Sequence, residues 1–580
     1  MRRFNGKLLV PVLTVAAGCA SDGVETSPGM TLQFAALSAA GCQETGSGRN
    51  TIPDTVTTLA VAVQASTAAP RVERIGRDAL NKKGQWLIAD IVAGEPVSVS
   101  VWGCSADKNV TWAGRTVGLM VEAQKETATQ VFLAPTAALG CTGSEARNVT
   151  AGETDHLQKG RSMAVGVALP SGNAAIVGGI GSWSGSAKNA VASRDIEIFD
   201  HAVGVFRKGP QLLSGRVWHH VFALDATHLL VVGGVTGVDQ FGSTKLPTPI
   251  LTPAKPDAAL PTIAAELVDL TAGTSKQSAA AVGAGAQLLS SATTWNGGLL
   301  FVGGVDSSQT PTTTANVLTG LDEIAAGGAG SAKSLSLQVA RARPGLVTLS
   351  NGAVLVWGGN KNGKAEDAAE WLQSVEKGFV RVTVGGDAAL LAADPLATID
   401  PVVVSLGATA GVETLLISGG IPAESPSAAQ AKTFAARVEL TSGAITLVAV
   451  DSGSVALYGG IAGLGVAHDG VALLSPGAIA LLGGAPCAAG TSECIGTDVW
   501  QVRVAGDVAA SPLKLEVKTL DALGGPRFGI AGVQVPAGTL LAGGQSTLVD
   551  TKVEADAALD PTARLVGQIP TDPAFGALCP

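Results

Sequence analysis

GLVTLSNGAVLVWGG, residues 345–359, decides the architecture. It reads as an apolar strand, a polar Ser-Asn-Gly turn and a second apolar strand that ends in a glycine pair. The same unit recurs as AVGVALPSGNAAIVGG (164–179), HVFALDATHLLVVGG (220–234), SATTWNGGLLFVGG (291–304), VVSLGATAGVETLLISGG (403–420), GVALLSPGAIALLGG (470–484) and GIAGVQVPAGTLLAGG (529–544). Successive first glycines, from Gly178 to Gly543, are 55, 70, 55, 61, 64 and 60 residues apart. That spacing is an internal repeat of seven units. A single small sheet cannot bury both of its faces, so units of this kind are expected to stack into one array.

Composition agrees with an all-β chain. Glycine supplies 75 of 580 residues, charged residues only 15% and aromatic residues 4%, which argues against disorder, coiled coil and a charge-laced helical protein. Beyond the N-terminus no apolar run approaches the roughly 18 residues that a membrane helix needs. The net charge of −9 becomes more negative if Arg2, Arg3 and Lys7 leave with a leader, so nucleic acid is not expected as a partner.

The hairpins ending in Gly-Gly, followed by strands such as DIEIFD (Asp195–Asp200), AELVDL (Ala265–Leu270), AEWL (Ala369–Leu372) and DVWQV (Asp498–Val502), resemble the kelch repeats of β-propellers. That resemblance implies four-stranded blades, with the glycine pair closing the second strand of each, and a seven-bladed propeller over residues 137–580. The chain departs from the family in lacking most of the Tyr and Trp that follow the glycine pair, with Phe199 and Phe206 the nearest match in the first unit. The longest spacer, Gly242–Pro261, is rich in Pro and Thr and falls where a propeller rim carries variable loops.

Residues 30–136 have another texture. TTLAVAVQA, QWLIADI, EPVSVSVWGC, RTVGLMVEA and TQVFLAP alternate or run apolar between turn residues, which predicts an Ig-like β-sandwich acting as a spacer or docking module. Ahead of it, a cationic start, the apolar Leu8–Ala17 and a small-residue site read as a secretory signal over 1–18. Ala16-Ala17-Gly18-Cys19 resembles a lipobox, which implies acylation of Cys19, a flexible tether over 19–29, and an exported lipoprotein of the outer membrane held by that lipid. Six cysteines remain, and an exported chain favours disulfides. Many connectivities are open; position suggests Cys42–Cys104 within the sandwich, Cys487–Cys494 around a short loop and Cys141–Cys579 across the ends of the propeller.

Counting back 17 residues from the first glycine of a pair reaches Arg161, Arg216 and Arg341, with Arg527 one residue and His468 two residues later in their units. In a kelch-like blade the strand that follows these residues is innermost, so they form a candidate cationic ring at one mouth of the channel, suited to a carboxylate, sulfate or phosphate. The competing reading is structural, with the arginines tying blades through carbonyls or through Glu197, Glu266, Glu370 and Glu554. Alternation sends His219 and His220 to opposite faces, so they do not share a metal. Copper sites of galactose-oxidase-like propellers and sialidase sites need tyrosines, and Tyr458 is the single one. GSWSG at Gly181–Gly185 matches the letters of a hydrolase elbow without the strand-to-helix context. No catalytic residue, cofactor or metal is therefore expected. The expected function is a non-catalytic binding or scaffold lipoprotein that takes a protein or glycan partner. The alternatives are a sugar isomerase or lyase using Arg and His at the channel mouth, and a purely structural envelope protein.

Overall fold

The computed structural model describes residues 26–27, 29–36, 52–65, 70–80, 84–123, 125–142, 152–184, 189–238, 264–282, 289–306, 310–361, 364–365, 369–392, 398–399, 401–419, 421–422, 433–453, 471–475, 478–481, 499–520, 527, 529–545, 559–567 and 578–579. Seven sheets follow one another in the chain, each antiparallel through four strands, and form a seven-bladed β-propeller: blade 1 (165–211), blade 2 (217–277), blade 3 (291–336), blade 4 (345–381), blade 5 (402–448), blade 6 (471–520) and blade 7 (531–567), with blade 7 completed by a strand from elsewhere in the chain and short parallel edge strands added to blades 5 and 6. In each, the first strand pairs with the second and the second with the third. Among the innermost strands, Val165–Ala168 packs against both Val217–Ala223 and Ala531–Val535, which brings the last blade against the first.

Alternation explains why the second strand of each unit is apolar throughout. Along His228–Val235, Leu229 and Val231 face blade 1, where they join Val165, Ala175 and Ile196, while Leu230 and Val232 face blade 3 and meet Leu299 and Phe301. Continuing round the ring, separate buried clusters join blades 3 and 4, 4 and 5, 5 and 6, 6 and 7, and 7 and 1. Each of the seven junctions thus has its own core. At roughly 25 cal/mol per Å² of apolar surface removed from water, these junctions rather than any one sheet supply the stabilisation.

The glycine pairs have a geometric cause. Both members are left-handed in blades 1, 2, 3, 4 and 7, with φ of 61° and 89° at Gly178 and Gly179, and 67° and 108° at Gly303 and Gly304. A side chain has no room there either: a Cβ on Gly303 would lie 2.2 Å from the Arg341 carbonyl oxygen, and one on Gly543 2.4 Å from that of Arg161. Gly178, Gly303 and Gly543 thus abut the start of the next blade.

The N-terminal unit, expected as an Ig-like two-sheet sandwich, is all-β and built on one seven-stranded hydrogen-bonded sheet. Hydrogen bonding runs continuously through seven strands, in the order Arg71–Gly76, Thr58–Ala65, Pro96–Cys104, Val110–Met120, Thr127–Pro135, Met30–Ala36 and Gln85–Ile88. Strand Met30–Ala36 pairs with Thr127–Pro135 in parallel. Leu32 and Phe34 nevertheless share one core with Leu59, Val61, Val99 and Val101 from the far half of the sheet, so the sheet curls over on itself. Its other face is buried too: Ala60, Ala62, Trp102 and Ala113 pack with Leu578, and Phe132 and Ala134 enter the junction of blades 7 and 1.

Two disulfide expectations are corrected. Cys104 bonds Cys579 rather than Cys42, so the pairing Cys141–Cys579 does not form either. The physical reason is the doubly buried N-terminal sheet, whose outer face lies against the end of the chain and brings Cys104 and Cys579 to a Cα separation of 5.6 Å. Cys141 is disulfide-bonded as well. Cys42, Cys487 and Cys494 lie outside the described residues, as do the leader, Cys19 and the loop 242–261. Closure at the rim is by hydrogen bonds: Gly140–Cys141 pairs antiparallel with Ala563–Gly567 and supplies the outermost strand of blade 7.

These observations predict that Gly303→Ala, strained and sterically blocked, destabilises by about 3 kcal/mol or more. Gly297→Ala, at φ 73° but with nothing within 4 Å of its Cβ, pays only the left-handed penalty of about 1–2 kcal/mol. Chemical denaturation of both variants checks this, and equal losses would show that the approach to Arg341 is not what demands glycine.

Candidate functional site at the blade junctions

Arg161, Arg216 and Arg341 precede the innermost strands of blades 1, 2 and 4, and all three are buried. Each guanidinium turns into its own blade and reaches a carboxylate on the third strand. Arg216 Nη2 donates to Glu266 Oε1 at 2.6 Å, Arg341 Nη2 to Glu370 Oε1 at 2.6 Å, and Arg161 Nη2 to Glu197 Oε1. In Arg216 and Arg341 the second terminal nitrogen closes the fork on the glycine pair, Arg216 Nη1 donating to the Gly233 carbonyl and Arg341 Nη1 to the Gly358 carbonyl, both at 2.8 Å, whereas Arg161 Nη1 donates to the Asp195 carbonyl at 2.9 Å. The carboxylates also accept backbone N–H groups three residues before the arginine, from Gln158, Leu213 and Gln338, each at 2.7 Å. Charge-assisted bonds of this kind satisfy buried ions that would otherwise be costly.

Register explains which blades carry the lock. Glu197, Glu266 and Glu370 sit opposite Ile176, Val231 and Val356, in each case two residues before the first glycine. The corresponding positions in the blades without an arginine in register are Asn316, Phe434 and Trp500, opposite Phe301, Ile417 and Leu481. At this register position a carboxylate stands only where a guanidinium meets it. In blade 7 that position is Arg564, and Arg527 pairs instead with Asp560 at 2.6 Å and with Thr562 Oγ1 at 2.8 Å. Glu554, the expected acid for that unit, and His468 lie outside the described residues.

The same arginines link neighbouring blades through their backbones. Gly179 N–H of blade 1 donates to the Arg216 carbonyl at 2.8 Å, Gly304 N–H to Arg341 at 2.9 Å, and Gly544 N–H to Arg161 at 2.8 Å. One residue therefore ties strands within a blade by its side chain and the preceding blade by its carbonyl. Two residues further on, Met163, Trp218, Leu289, Arg343 and Gly529 all adopt left-handed φ between 53° and 66°. Met163 N–H donates to Gly529 O and Arg343 N–H to Leu289 O, from one blade to the one before it. The sequence carries no residue-type signature for this recurring position; its place 14 or 15 residues before the first glycine of the pair is its only signal. Arg343, buried like its neighbours, has its guanidinium drawn down to about 9 by burial.

Burial sets the remaining titrations. Burial lowers the Arg216 guanidinium against the pull of Glu266, and raises the Glu197 carboxyl against the pull of Arg161. His219 and His220 point to opposite sides of their strand. His220 Nε2 donates to the Ser290 carbonyl at 3.1 Å beside Phe222 and Phe301. His219 Cε1 occupies the space a Cβ on Gly178 would need, 2.7 Å away, and burial, followed by the nearby Arg216 and His220, holds its pKa at about 3. Nδ1 of His201 donates to Asn173 Oδ1 at 2.9 Å, and Nδ1 of His228 to Asp225 Oδ2 at 2.9 Å. Ser182 and Ser184 of the GSWSG letters lie in the strand Ile180–Ser184, which pairs with Asn189–Ala192, not at a strand-to-helix turn. Among the described residues no group of three or more His, Cys, Asp or Glu could hold a metal.

The arginines expected to ring the channel mouth thus converge on carboxylates within the blades. Compared with known proteins, the chain matches no family model and no curated protein.

His219 gives a pH prediction. Its folded pKa lies below the unfolded value near 6.5, so the unfolded chain binds more protons, and the stability present above 6.5 is lost as pH falls toward 3. Between pH 7 and pH 5 the loss is about 2 kcal/mol at 1.36 kcal/mol per pH unit below 6.5. Urea unfolding at the two pH values should show His219→Gln lacking that share of the pH dependence; parallel behaviour of variant and wild type would show that His219 is not the titrating group.

Proposed function

We propose that the chain is a non-catalytic recognition and scaffold module of the bacterial cell envelope, a kelch-like propeller lipoprotein that takes a protein or glycan partner through its rim loops. One observation carries the reading. The arginines that would equip a channel-mouth site for sugar chemistry, Arg161, Arg216, Arg341 and Arg527, are each engaged by Glu197, Glu266, Glu370 and Asp560. A guanidinium held by a carboxylate in this way rigidifies its blade and turns its terminal N–H groups to the protein rather than to a substrate. The frame they build suits presentation of variable loops, of which the spacer 242–261 is the longest.

Attachment is proposed through lipid on Cys19 in the outer membrane, after removal of residues 1–18, on the pattern Ala16-Ala17-Gly18-Cys19. The kelch-like assignment is supported by seven glycine-pair hairpins on seven blades. The N-terminal unit, proposed as an Ig-like variant, would stand between lipid and propeller.

Crosslinking in intact cells followed by mass spectrometry tests the recognition role. A reproducible partner crosslinked at rim residues is expected, whereas turnover of a sugar by the purified protein would overturn the reading. Cys19→Ser should abolish incorporation of labelled fatty acid and release the protein from the membrane fraction; unchanged membrane association would contradict lipid anchoring.

A further inference from the structure

We infer that the N-terminal unit is a redox-sensitive clasp on the propeller, holding its closing seam between blades 7 and 1 and opened by reduction of Cys104–Cys579. The seam's own rim pairing is short. Gly140 opposes Leu565 and Cys141 opposes Arg564, a two-residue ladder, against three or more pairs between the third and fourth strands of the other blades. Additional material lies over that ladder. Phe132 and Ala134 of the N-terminal sheet sit in one cluster with Ala164, Ile176 and Phe199 of blade 1 and Val533, Leu540 and Leu565 of blade 7. Contact is close enough that a Cβ on Gly567 would meet the Ala134 carbonyl at 2.5 Å, and one on Gly204 the Phe132 ring at 2.9 Å.

The clasp is fastened at both ends of the chain. Upstream, Leu139 packs between Val499 and Leu520 of blade 6 and Leu541 and Val566 of blade 7. Downstream, blade 7 ends at Gly567, and the chain returns to the outer face of the N-terminal sheet, where Leu578 packs on Ala60, Ala62, Trp102 and Ala113 and Cys579 bonds Cys104. The seam is thus held by an element on its rim side that is covalently tied to the last residues of the chain. Cys104 is buried and Cys579 is partly exposed, so the bond is open to attack from the Cys579 side.

A dithiol reductant opens the clasp in two balanced steps. One thiolate of the reductant attacks Cys579 Sγ and displaces the Cys104 thiolate; the second thiol then closes the reductant's own disulfide and displaces the Cys579 thiolate. Two electrons pass from reductant to protein, and protons from the reductant's thiols complete the two cysteine thiols. Freed of the bond, Leu578 can leave the sheet, and the two-residue rim ladder loses its fastening.

Amide hydrogen exchange on the full chain tests this, using dithiothreitol on the folded wild type and, separately, the Cys104→Ser/Cys579→Ser variant. Alkylation mass spectrometry confirms which cysteines are reduced. Exchange is expected to rise at least tenfold in Gly140–Cys141, Ala563–Gly567 and Glu153–Thr154 under both conditions, with Gly298–Val302 and Val354–Trp357 in blades 3 and 4 unchanged. Exchange unaltered once Cys104 and Cys579 are shown to be reduced would overturn the proposal. A rise with dithiothreitol but not in the double variant would overturn it too, because it would assign the effect to the disulfide of Cys141. If the double variant does not fold, the wild type with Cys104–Cys579 reduced decides by the same criterion.

Discussion

The arrangement of a guanidinium, a carboxylate and a glycine pair at the inner edge of the blades is the interaction on which the rest of this structure depends. A propeller must turn its chain sharply where the second strand ends, at the crowded place where the next blade begins. Left-handed glycines make that turn, and their missing side chains let the backbone of one blade donate to the arginine carbonyl of the next. The arginine in turn fixes its own blade by bridging the start of the innermost strand to the third strand. Apolar junction cores supply bulk stabilisation, but they are non-directional; the forked ion pairs fix the strands within a blade, and the backbone carbonyls of the same arginines fix where the neighbouring sheet meets it.

Much of this was legible in the sequence because it follows from periodicity. Fully apolar second strands between turn signals gave the hairpins, the glycine pairs gave the count of units, and the common offset of Arg161, Arg216 and Arg341 gave one equivalent position in three of them. The acids were legible as well, since Glu197, Glu266 and Glu370 stand in recognisable third strands. Which partner each arginine takes was not: Arg527 pairs with Asp560, because Arg564 occupies the place that a glutamate fills elsewhere. Local patterns say nothing about such exchanges between neighbouring strands.

Long-range facts were the least legible. Cys42 and Cys104 are close in the chain, and Cys141 and Cys579 bracket the propeller, so proximity and enclosure each suggested a bond. The observed Cys104–Cys579 bond joins residues 475 positions apart. Its cause is the second apolar face of the N-terminal sheet, carried by Ala60, Ala62 and Trp102, which has to be covered and is covered by the end of the chain. The near-continuous apolar run of Thr58–Ala65 contained that information, since a strand buried on one face alone would alternate. What covers a second face is a tertiary fact that a strand pattern does not state.

A double-mutant cycle on Arg216 and Glu266 tests most directly whether the forked ion pairs hold the blades. Unfolding free energies would be measured for Arg216→Met, Glu266→Leu and the two together. Each single change leaves a buried charge without its counterpart and should cost about 3–5 kcal/mol, while the double variant should recover at least about 2 kcal/mol of the summed loss. Losses that simply add, to within about 0.5 kcal/mol, would show that the two side chains do not act as a pair and would contradict the account.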